Sequence, residues 1–412
     1  MFIFTDMKIK KLYFALVFIF ISFLNLHSKP YVIIVSFDGF RWDYLNRNIT
    51  PNLNEILNDG VHALSLRPSF PSKTFPNHIS ILTGMYPDNH GIISNNIKNI
   101  FNGKRYRIGN NKSVTEPEWY QGEFFWETAE RNGIKTASYF WPGSEISDTL
   151  RSPNKVKPYE HNFPFINRID TVVSWLKLPI QERPQFITLY FHETDSKGHD
   201  FGTESDEINE AIALVDSLAG YLFKQIQELP IKDSVNILFV SDHGMQNIDK
   251  NKIVNVEELI SQYKYDLVDS GPLMQIFPNS ENDKENIYAE LKRNEKHFKA
   301  YLKNELPDYY HFGKHPLIAP IVLIADYEAY LVNNRISKRN YDLSAATHGY
   351  AKDHINMHGI FIANGPAFNK GMKTGTIWNI DIYPLLCELF KITPRSNIDG
   401  KIDRIRFILN NE

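Results

Sequence analysis

The chain has 412 residues, of which 42% are hydrophobic, 13% aromatic and 23% charged. This composition supplies a large core and excludes a disordered, collagen-like or coiled-coil protein. The formal net charge is −3, which argues against binding to a nucleic-acid duplex, because that requires a clustered basic excess. The only cysteine is Cys387, so any metal must be held mainly by imidazoles and carboxylates.

Residues 1–28 predict a secretory signal peptide. Lys8, Lys10 and Lys11 precede an apolar run at 12–26, which is the order of a basic n-region and an h-region. The run is shorter than the roughly twenty residues of a membrane span, and an uncleaved N-terminal anchor is the alternative. We expect cleavage near Ser28 and no stable membrane association afterwards. Because an exported chain with one cysteine has no intramolecular disulfide, we expect a bacterial periplasmic or secreted protein.

Short apolar runs along the rest of the chain predict strands of a parallel sheet that is buried on both faces. They lie at 31–37, 136–141, 186–191, 235–240 and 358–363. Helical patterns separate them, and the clearest spans 207–229, with an apolar residue at every third or fourth position. Strands that alternate with helices indicate an α/β fold with a mostly parallel sheet. Residues 262–345 are richer in Lys, Asn, Glu and Tyr and are interpreted as a small α+β insertion.

Acidic and imidazole side chains follow or flank several of the predicted strands. The six candidates are Asp38, Asp195, His199, Asp242, His243 and His348. Ligands bind beyond the carboxyl ends of strands in such sheets, and zinc accepts nitrogen and oxygen donors when thiolates are absent. Six protein ligands are too many for one zinc ion and about right for two. Taken singly, each candidate has an ordinary explanation as a cap, turn or packing residue; together they favour a metal site.

Local sequence suggests how two of these residues come together. Asp195 and His199 are four positions apart, and a loop containing Gly198 is expected to turn both side chains to one point. Three other histidines, His192, His354 and His358, are interpreted as packing or surface residues.

A Pro-punctuated stretch at 68–91 runs into a helical segment at 78–83 and places Thr74 in the turn before it. A helix N-terminus is favourable for phosphate, and a hydroxyl there can act as a nucleophile beside a metal ion. Thr74 as a simple helix N-cap is the open alternative, and spacing alone favours it.

These residues lie in strings that resemble the nucleotide pyrophosphatase/phosphodiesterase family of the alkaline phosphatase superfamily. The resemblance covers nearly the whole chain after residue 28, in the family's order, and KTFPNH is its most specific string. The matching strings are SFDGFRWDYL (36–45), KTFPNHISILTGMYPDNHGIISN (73–95), ETDSKGHDFG (193–202), SDHGM (241–245), THGY (347–350) and MHGIFIANGPAF (357–368).

The resemblance implies roles for individual residues. One zinc ion would be held by Asp38, Thr74, Asp242 and His243. The other would be held by Asp195, His199 and His348. Thr74 would be the nucleophile, Asn95 would bind a phosphoryl oxygen, and Phe75 and Tyr159 would stack the nucleobase.

The resemblance also implies a fold and an activity. The fold is an alkaline-phosphatase-like α/β core at 29–412, with the insertion within it. The activity is zinc-dependent hydrolysis of nucleotide phosphodiester or pyrophosphate bonds, which releases nucleoside 5′-monophosphates through a phosphothreonyl intermediate. The alternatives are a phosphodiesterase for choline-type lipid head groups and a non-catalytic zinc-binding protein. We expect a monomer whose partner is a small nucleotide or phosphodiester substrate.

Overall fold

The computed structural model describes residues 30–334 and 343–410. The predicted signal peptide lies outside these residues. Within the two described ranges, no helix combines the length and the apolarity that a membrane crossing requires.

An eight-stranded sheet forms the centre of the protein. Seven strands run in one direction, and Phe361–Asn364 runs antiparallel to both of its neighbours. The prediction of an α/β fold with a mostly parallel sheet is therefore confirmed. In spatial order the strands are Met372–Thr374, Val61–Ala63, Phe361–Asn364, Val235–Val240, Tyr31–Phe37, Phe186–Phe191, Thr136–Tyr139 and Lys155–Lys157.

The central strand Tyr31–Phe37 shows why the sheet is buried on both faces. Successive side chains of a strand point to opposite faces. Val32 and Ile34 belong to one large core cluster, whereas Ile33 and Val35 belong to another. Helices pack on each face and contribute to both clusters, as do the neighbouring strands. The α-helices of the described residues, including those of the later 253–332 segment, are Pro51–Asn58, Thr74–Thr83, Pro87–His90, Asn111–Thr115, Phe125–Arg131, Phe165–Leu176, Glu193–Phe201, Asp206–Gln227, Val256–Ile260, Glu281–Arg293 and Ile382–Phe390.

The predicted strand bounds match the structure where the apolar run is continuous. Three strands are found at their predicted positions: Tyr31–Phe37, Phe186–Phe191 and Val235–Val240. The run predicted at 136–141 ends as a strand at Tyr139, because Phe140 adopts a φ of +68° and turns the chain. The last of the five predicted strands begins at Phe361, three residues later than predicted, since Gly359 instead makes single bridges to Arg41 and Leu66.

The segment from 253 to 332 forms a separate layer. Its four-stranded antiparallel sheet has helix Glu281–Arg293 against one face, where Met274 and Ile276 pack with Ile287 and Leu291. On the other face Leu273 joins the main core. The strands of this sheet, in spatial order, are Tyr265–Val268, Leu273–Pro278, Ile321–Ala325 and Phe298–Leu302.

Four short strand pairs lie outside these two sheets. One of them, Gln246–Asn247 with Ala346–Thr347, brings the segment before His348 to the end of the main sheet. The other pairs are Leu66–Arg67 with Ile377–Trp378, Asn96–Lys98 with Arg105–Arg107, and Ile253–Asn255 with Tyr330–Val332.

Candidate metal and active site

Three neighbouring parallel strands end at one edge of the main sheet, and candidate ligands follow each of them. Asp38 follows Tyr31–Phe37, and Asp242 and His243 follow Val235–Val240. Phe186–Phe191 leads into the helix that carries Asp195 and His199. Shared strand direction thus brings together residues that are far apart in the sequence.

The turn after Asp38 depends on a glycine. Gly39 has a φ of +68°, and a Cβ atom there would lie 2.9 Å from the Cα of Asp195. A larger residue would push the helix of Asp195 away from Asp38. The backbone N–H of Gly39 also donates to Asp242 Oδ1 at 3.3 Å.

Asp195 and His199 lie on a helix, Glu193–Phe201, and the predicted loop is wrong. Residues four apart share a helix face, so the helix aims both side chains at one point. Gly198 serves packing instead of a turn, because a Cβ atom there would lie 3.0 Å from Met245 Cε.

The three candidate imidazoles are held in one tautomer by the backbone. His199 Nδ1 lies 2.9 Å from the carbonyl oxygen of Ala346, and His243 Nδ1 lies 2.9 Å from that of Gly244. His348 Nδ1 lies 2.8 Å from the carbonyl oxygen of Ser72. Because each Nδ1–H donates to a carbonyl, each Nε2 keeps its lone pair, which is how metal-binding histidines are oriented.

The six candidates form two groups. In the inner group, comprising Asp38, Asp242 and His243, His243 Nε2 lies 3.3 Å from Asp38 Oδ1 and 3.0 Å from Asp242 Oδ2. In the outer group, comprising Asp195, His199 and His348, the ligand atoms all lie within 4.8 Å of one another. The groups adjoin, since the rings of His243 and His348 stack with centroids 3.6 Å apart.

The carboxylates in this cluster would be stabilised by a bound cation. Asp38 Oδ1, Asp195 Oδ1 and Asp242 Oδ2 are buried carboxylate oxygens without a hydrogen-bond partner. Burial and the charges of Asp242 and Asp195 raise the pKa of Asp38 well above its usual range. Burial also lowers the pKa of His348 well below its usual range, so its imidazole stays neutral. Burial also opposes protonation of His243, but the charge of Asp242 and the hydrogen bonds of the ring together outweigh it and raise the pKa of that imidazole. Carboxylate oxygens without a hydrogen-bond partner, beside imidazoles held through Nδ1, are a donor set that a divalent zinc ion binds.

Thr74 points into the inner group. It is the first residue of helix Thr74–Thr83, and Lys73 occupies the N-cap position without a side-chain cap. Thr74 is therefore not the N-cap, and the prediction that it lies in a turn before a helix at 78–83 is wrong, because the helix begins four residues earlier. Its Oγ1 lies 3.3 Å from His243 Nε2.

Asn95 is tied to the residue after Thr74. Its Oδ1 accepts the backbone N–H of Phe75 at 3.1 Å. This bond places the carboxamide at the N-terminal turn of the Thr74 helix, where the helix dipole favours an anion.

A pocket of about 300 Å³ adjoins the cluster. Asp38, Thr74 and Asp195 line it, together with Phe75 and Tyr159. Tyr159 is 42% exposed, and its hydroxyl lies 2.9 Å from His161 Nδ1. The structure thus brings every predicted site residue to the cluster or to its immediate surroundings.

Several pocket residues carried no local signal in the sequence. They come from turns and strand ends that only the tertiary structure brings together. His192, interpreted from sequence as a packing or surface residue, also lines the pocket and stacks on His161 at 4.0 Å. The others are Phe140, Trp141, Glu145 and His161.

His78 lies within the cluster without being free to bind a metal. Its Nδ1 lies 2.9 Å from the carbonyl oxygen of Thr74, and its Nε2 lies 2.8 Å from Ser36 Oγ. Both ring nitrogens are thus engaged, and His78 braces the Thr74 turn. His358 is satisfied in the same way, by Ser65 Oγ and the carbonyl oxygen of Lys352.

The fold and this cluster define an α/β protein with a candidate two-ion metal centre beyond its strand ends. Residues 32–351 match the profile of the type I phosphodiesterase / nucleotide pyrophosphatase family. The chain therefore belongs to this family, as its sequence motifs indicate.

Individual relatives agree with this assignment. The chain is 36% identical over 394 residues to Homo sapiens ectonucleotide pyrophosphatase/phosphodiesterase family member 1, covering 93% of this chain and 42% of that protein. It is 33% identical over 387 residues to the Xenopus laevis bis(5′-adenosyl)-triphosphatase, covering 93% of this chain and 83% of that protein. The chain thus spans less than half of the human relative.

A solved structure shares the fold. Murine ectonucleotide pyrophosphatase/phosphodiesterase 5, as an inactive Thr-to-Ala variant in complex with AMP, superimposes with a TM-score of 0.87 at 29% identity. The match covers 92% of this chain and all of the murine chain. The predicted alkaline-phosphatase-like fold is confirmed by this likeness.

Proposed function

We propose that the protein hydrolyses nucleotide phosphodiester and pyrophosphate bonds with two zinc ions and releases nucleoside 5′-monophosphates. One observation carries the proposal: the Thr74 hydroxyl lies 3.3 Å from His243 Nε2, inside a cluster of three carboxylates and three oriented imidazoles. The names of the human, Xenopus and murine relatives, which denote pyrophosphatases, phosphodiesterases and a bis(5′-adenosyl)-triphosphatase, support it.

The residues fit two divalent ions. Asp38, Asp242 and His243, with the Thr74 oxygen, would hold one zinc ion, and Asp195, His199 and His348 would hold the other. Bound zinc would polarise the phosphoryl oxygens and favour the alkoxide form of a nearby hydroxyl.

Thr74 would supply the nucleophile. Its oxygen attacks phosphorus, a Thr74–phosphorus bond forms, and the bond from phosphorus to the leaving-group oxygen breaks. Water then cleaves the phosphothreonyl diester, which releases a nucleoside monophosphate and restores the hydroxyl. The helix that begins at Thr74 and the brace by His78 hold the hydroxyl in place for this attack.

Asn95 and the pocket would bind the substrate. Once Oδ1 of Asn95 is fixed by Phe75 N–H, its amide is oriented to donate to a phosphoryl oxygen, where negative charge increases in the transition state. The nucleobase would stack between Phe75 and Tyr159, which line the same pocket as Thr74. We further propose export from the cytoplasm and a monomeric state.

A paired assay on purified protein tests the proposal. Thymidine 5′-monophosphate p-nitrophenyl ester, p-nitrophenyl phosphorylcholine and p-nitrophenyl phosphate would be compared with and without zinc. We expect a strong preference for the nucleotide ester and loss of turnover with a chelator.

The other outcomes identify the rival functions. Preference for the choline ester would keep the chemistry and assign the pocket to lipid head groups, since an aromatic-lined pocket also suits a quaternary ammonium. No turnover of any ester by zinc-loaded protein would favour a non-catalytic zinc-binding protein.

A further inference from the structure

The turn at Ser72 and Lys73, which leads into the Thr74 helix, is held from two sides. On one side, Ser72 Oγ donates to the carbonyl oxygen of Tyr350 at 2.9 Å and accepts the N–H of Gly349 at 3.1 Å. Together with the bond from His348 to Ser72, these contacts join the turn to the segment that carries an outer-group ligand.

Asp269 holds the turn from the other side. It lies between strands Tyr265–Val268 and Leu273–Pro278 of the insertion and has a φ of +68°, a conformation that Asp tolerates better than most residues. Its carboxylate is only 2% exposed and lies 3.1 Å from Lys73 Nζ. It also accepts Asn96 Nδ2 at 2.8 Å and the hydroxyl of Ser94.

The three donors to Asp269 flank the two central residues of the proposed chemistry. Lys73 immediately precedes Thr74, and Ser94 and Asn96 lie on either side of Asn95. The Asp269 carboxylate therefore bonds to both of these segments. The distance between the segments determines how Thr74 and Asn95 contact a phosphoryl group.

We propose that Asp269 is a positioning residue for phosphoryl transfer, which fixes the Asn95 carboxamide relative to the Thr74 hydroxyl. The inference rests on the proposed function of those two residues, and it gives the insertion a part in catalysis. Asp269 itself bonds to the neighbours of Thr74 and Asn95, and acts through them.

The contact between Lys73 and Asp269 explains why the negative charge of Asp269 matters. The Lys73 stem passes Gly349, where a Cβ atom would lie 3.3 Å from Lys73 Cε. Loss of the carboxylate would leave a buried ammonium beside the segment of His348 without its partner. An uncompensated buried charge relaxes towards solvent or another acid, and either movement would displace the residue before Thr74.

Asp266 provides a matched control within the same segment. Its carboxylate lies 2.5 Å from Lys98 Nζ and 3.4 Å from an Arg105 nitrogen. It therefore joins the insertion to the hairpin that begins at Asn96, as Asp269 does. Asp266 is half exposed, and neither of its partners is a chain neighbour of Thr74 or Asn95.

Full-length, zinc-loaded Asp269→Asn, Asp269→Ala and Asp266→Ala proteins would be compared with the parent on the thymidine ester. Because misplacement by about 1 Å costs about 100-fold in rate, we expect both Asp269 variants to lose about 10- to 100-fold in kcat, with KM within about threefold. Asp266→Ala should stay within about twofold of the parent. Equal losses in the Asp266 and Asp269 variants would overturn the proposal. They would indicate that both residues only hold the insertion against the rest of the protein.

A double-mutant cycle with Asn95→Ala tests whether Asp269 acts through Asn95. If it does, the double variant should lose much less than the product of the two single losses. Fully multiplicative losses would contradict the proposal.

A crystal structure of Asp269→Asn gives a reading that does not depend on turnover. We expect the bond from Phe75 N–H to Asn95 Oδ1, 3.1 Å in the parent, to lengthen or disappear. Its retention would overturn the positioning role. An inactive parent enzyme would instead contradict the proposed function, so the two failures are distinguishable.

Discussion

The inner and outer groups use similar residue types in different surroundings. The side chains of Asp38, Asp242 and His243 are at most 1% exposed. In the outer group, His199 is 28% exposed and Asp195 is 19% exposed. An ion in the inner group would be enclosed by protein, whereas an ion in the outer group would face the solvent.

This difference suggests a division of labour. The inner group holds carboxylates that repel each other in a buried environment. A bound cation would therefore stabilise the fold, and it would also bind the Thr74 oxygen. The outer group lies on one helix and one loop, and its ion would exchange more readily.

The largest effect is expected from Thr74→Ala, which removes the nucleophile beside the inner group. Turnover of the thymidine ester should fall about 10⁴-fold or more, as in other enzymes that lose a nucleophile. Zinc content should stay near that of the parent, because three protein ligands remain in that group. Turnover above a few percent of the parent's rate would contradict the role of Thr74.

Two ligand substitutions compare the groups directly. Asp242→Asn should lower turnover by about 1,000-fold or more, since Lewis-acid stabilisation contributes several kcal/mol, and added zinc should not restore it. His199→Ala should lower turnover less than Asp242→Asn does and should recover partly in excess zinc, because the outer group is partly exposed. Identical zinc rescue of both variants would contradict the division of labour.

The stabilising effect of zinc should depend on pH. Burial and the charges of Asp242 and Asp195 raise the folded-state pKa of Asp38 above its ordinary 3.8. A raised carboxyl pKa has no effect on stability below the unfolded pKa. As the pH rises from the unfolded pKa to the folded pKa the folded state is progressively destabilised, and the loss is complete above the folded pKa. Zinc would remove this cost by pairing with the carboxylate.

The gap in Tm between zinc-loaded and zinc-free protein should therefore widen as the pH rises above the ordinary aspartate pKa of about 4. Thermal melting at a series of pH values, at fixed free zinc, measures the gap. A gap that stays constant or shrinks would argue against an uncompensated carboxylate in the inner group.

The smallest effect is expected in the pocket, away from both groups. Tyr159→Ala should raise KM for the thymidine ester about 5- to 100-fold, because stacking on an aromatic ring contributes about 1–3 kcal/mol per base. Zinc content should not change. An unaltered KM would remove Tyr159 from nucleobase binding.

Continuous apolar patterns made the main fold predictable from sequence. The strand Val235–Val240 and the helix Asp206–Gln227 stand within two residues of their predicted bounds, since burial on a sheet or along one helix face fixes the spacing of apolar residues. Asp38, Asp242 and His243 could then be placed, because each follows a predicted strand.

Other features had no such signal. Helix Glu193–Phe201 buries only Thr194 and Gly198, so it shows no apolar stripe, and Gly198 suggested a loop. Asp269 and Glu145 belong to irregular segments, and their positions arise from packing between segments distant in sequence. Such contacts leave no periodic pattern to read.

Timed chelation of the zinc-loaded protein, with metal content and turnover followed together, tests the two-ion account most directly. We predict two zinc ions per chain, with the outer ion leaving first and turnover lost as it leaves. The inner ion should leave more slowly, with a fall in thermal stability. A single zinc per chain, or turnover that survives the removal of both ions, would contradict the account.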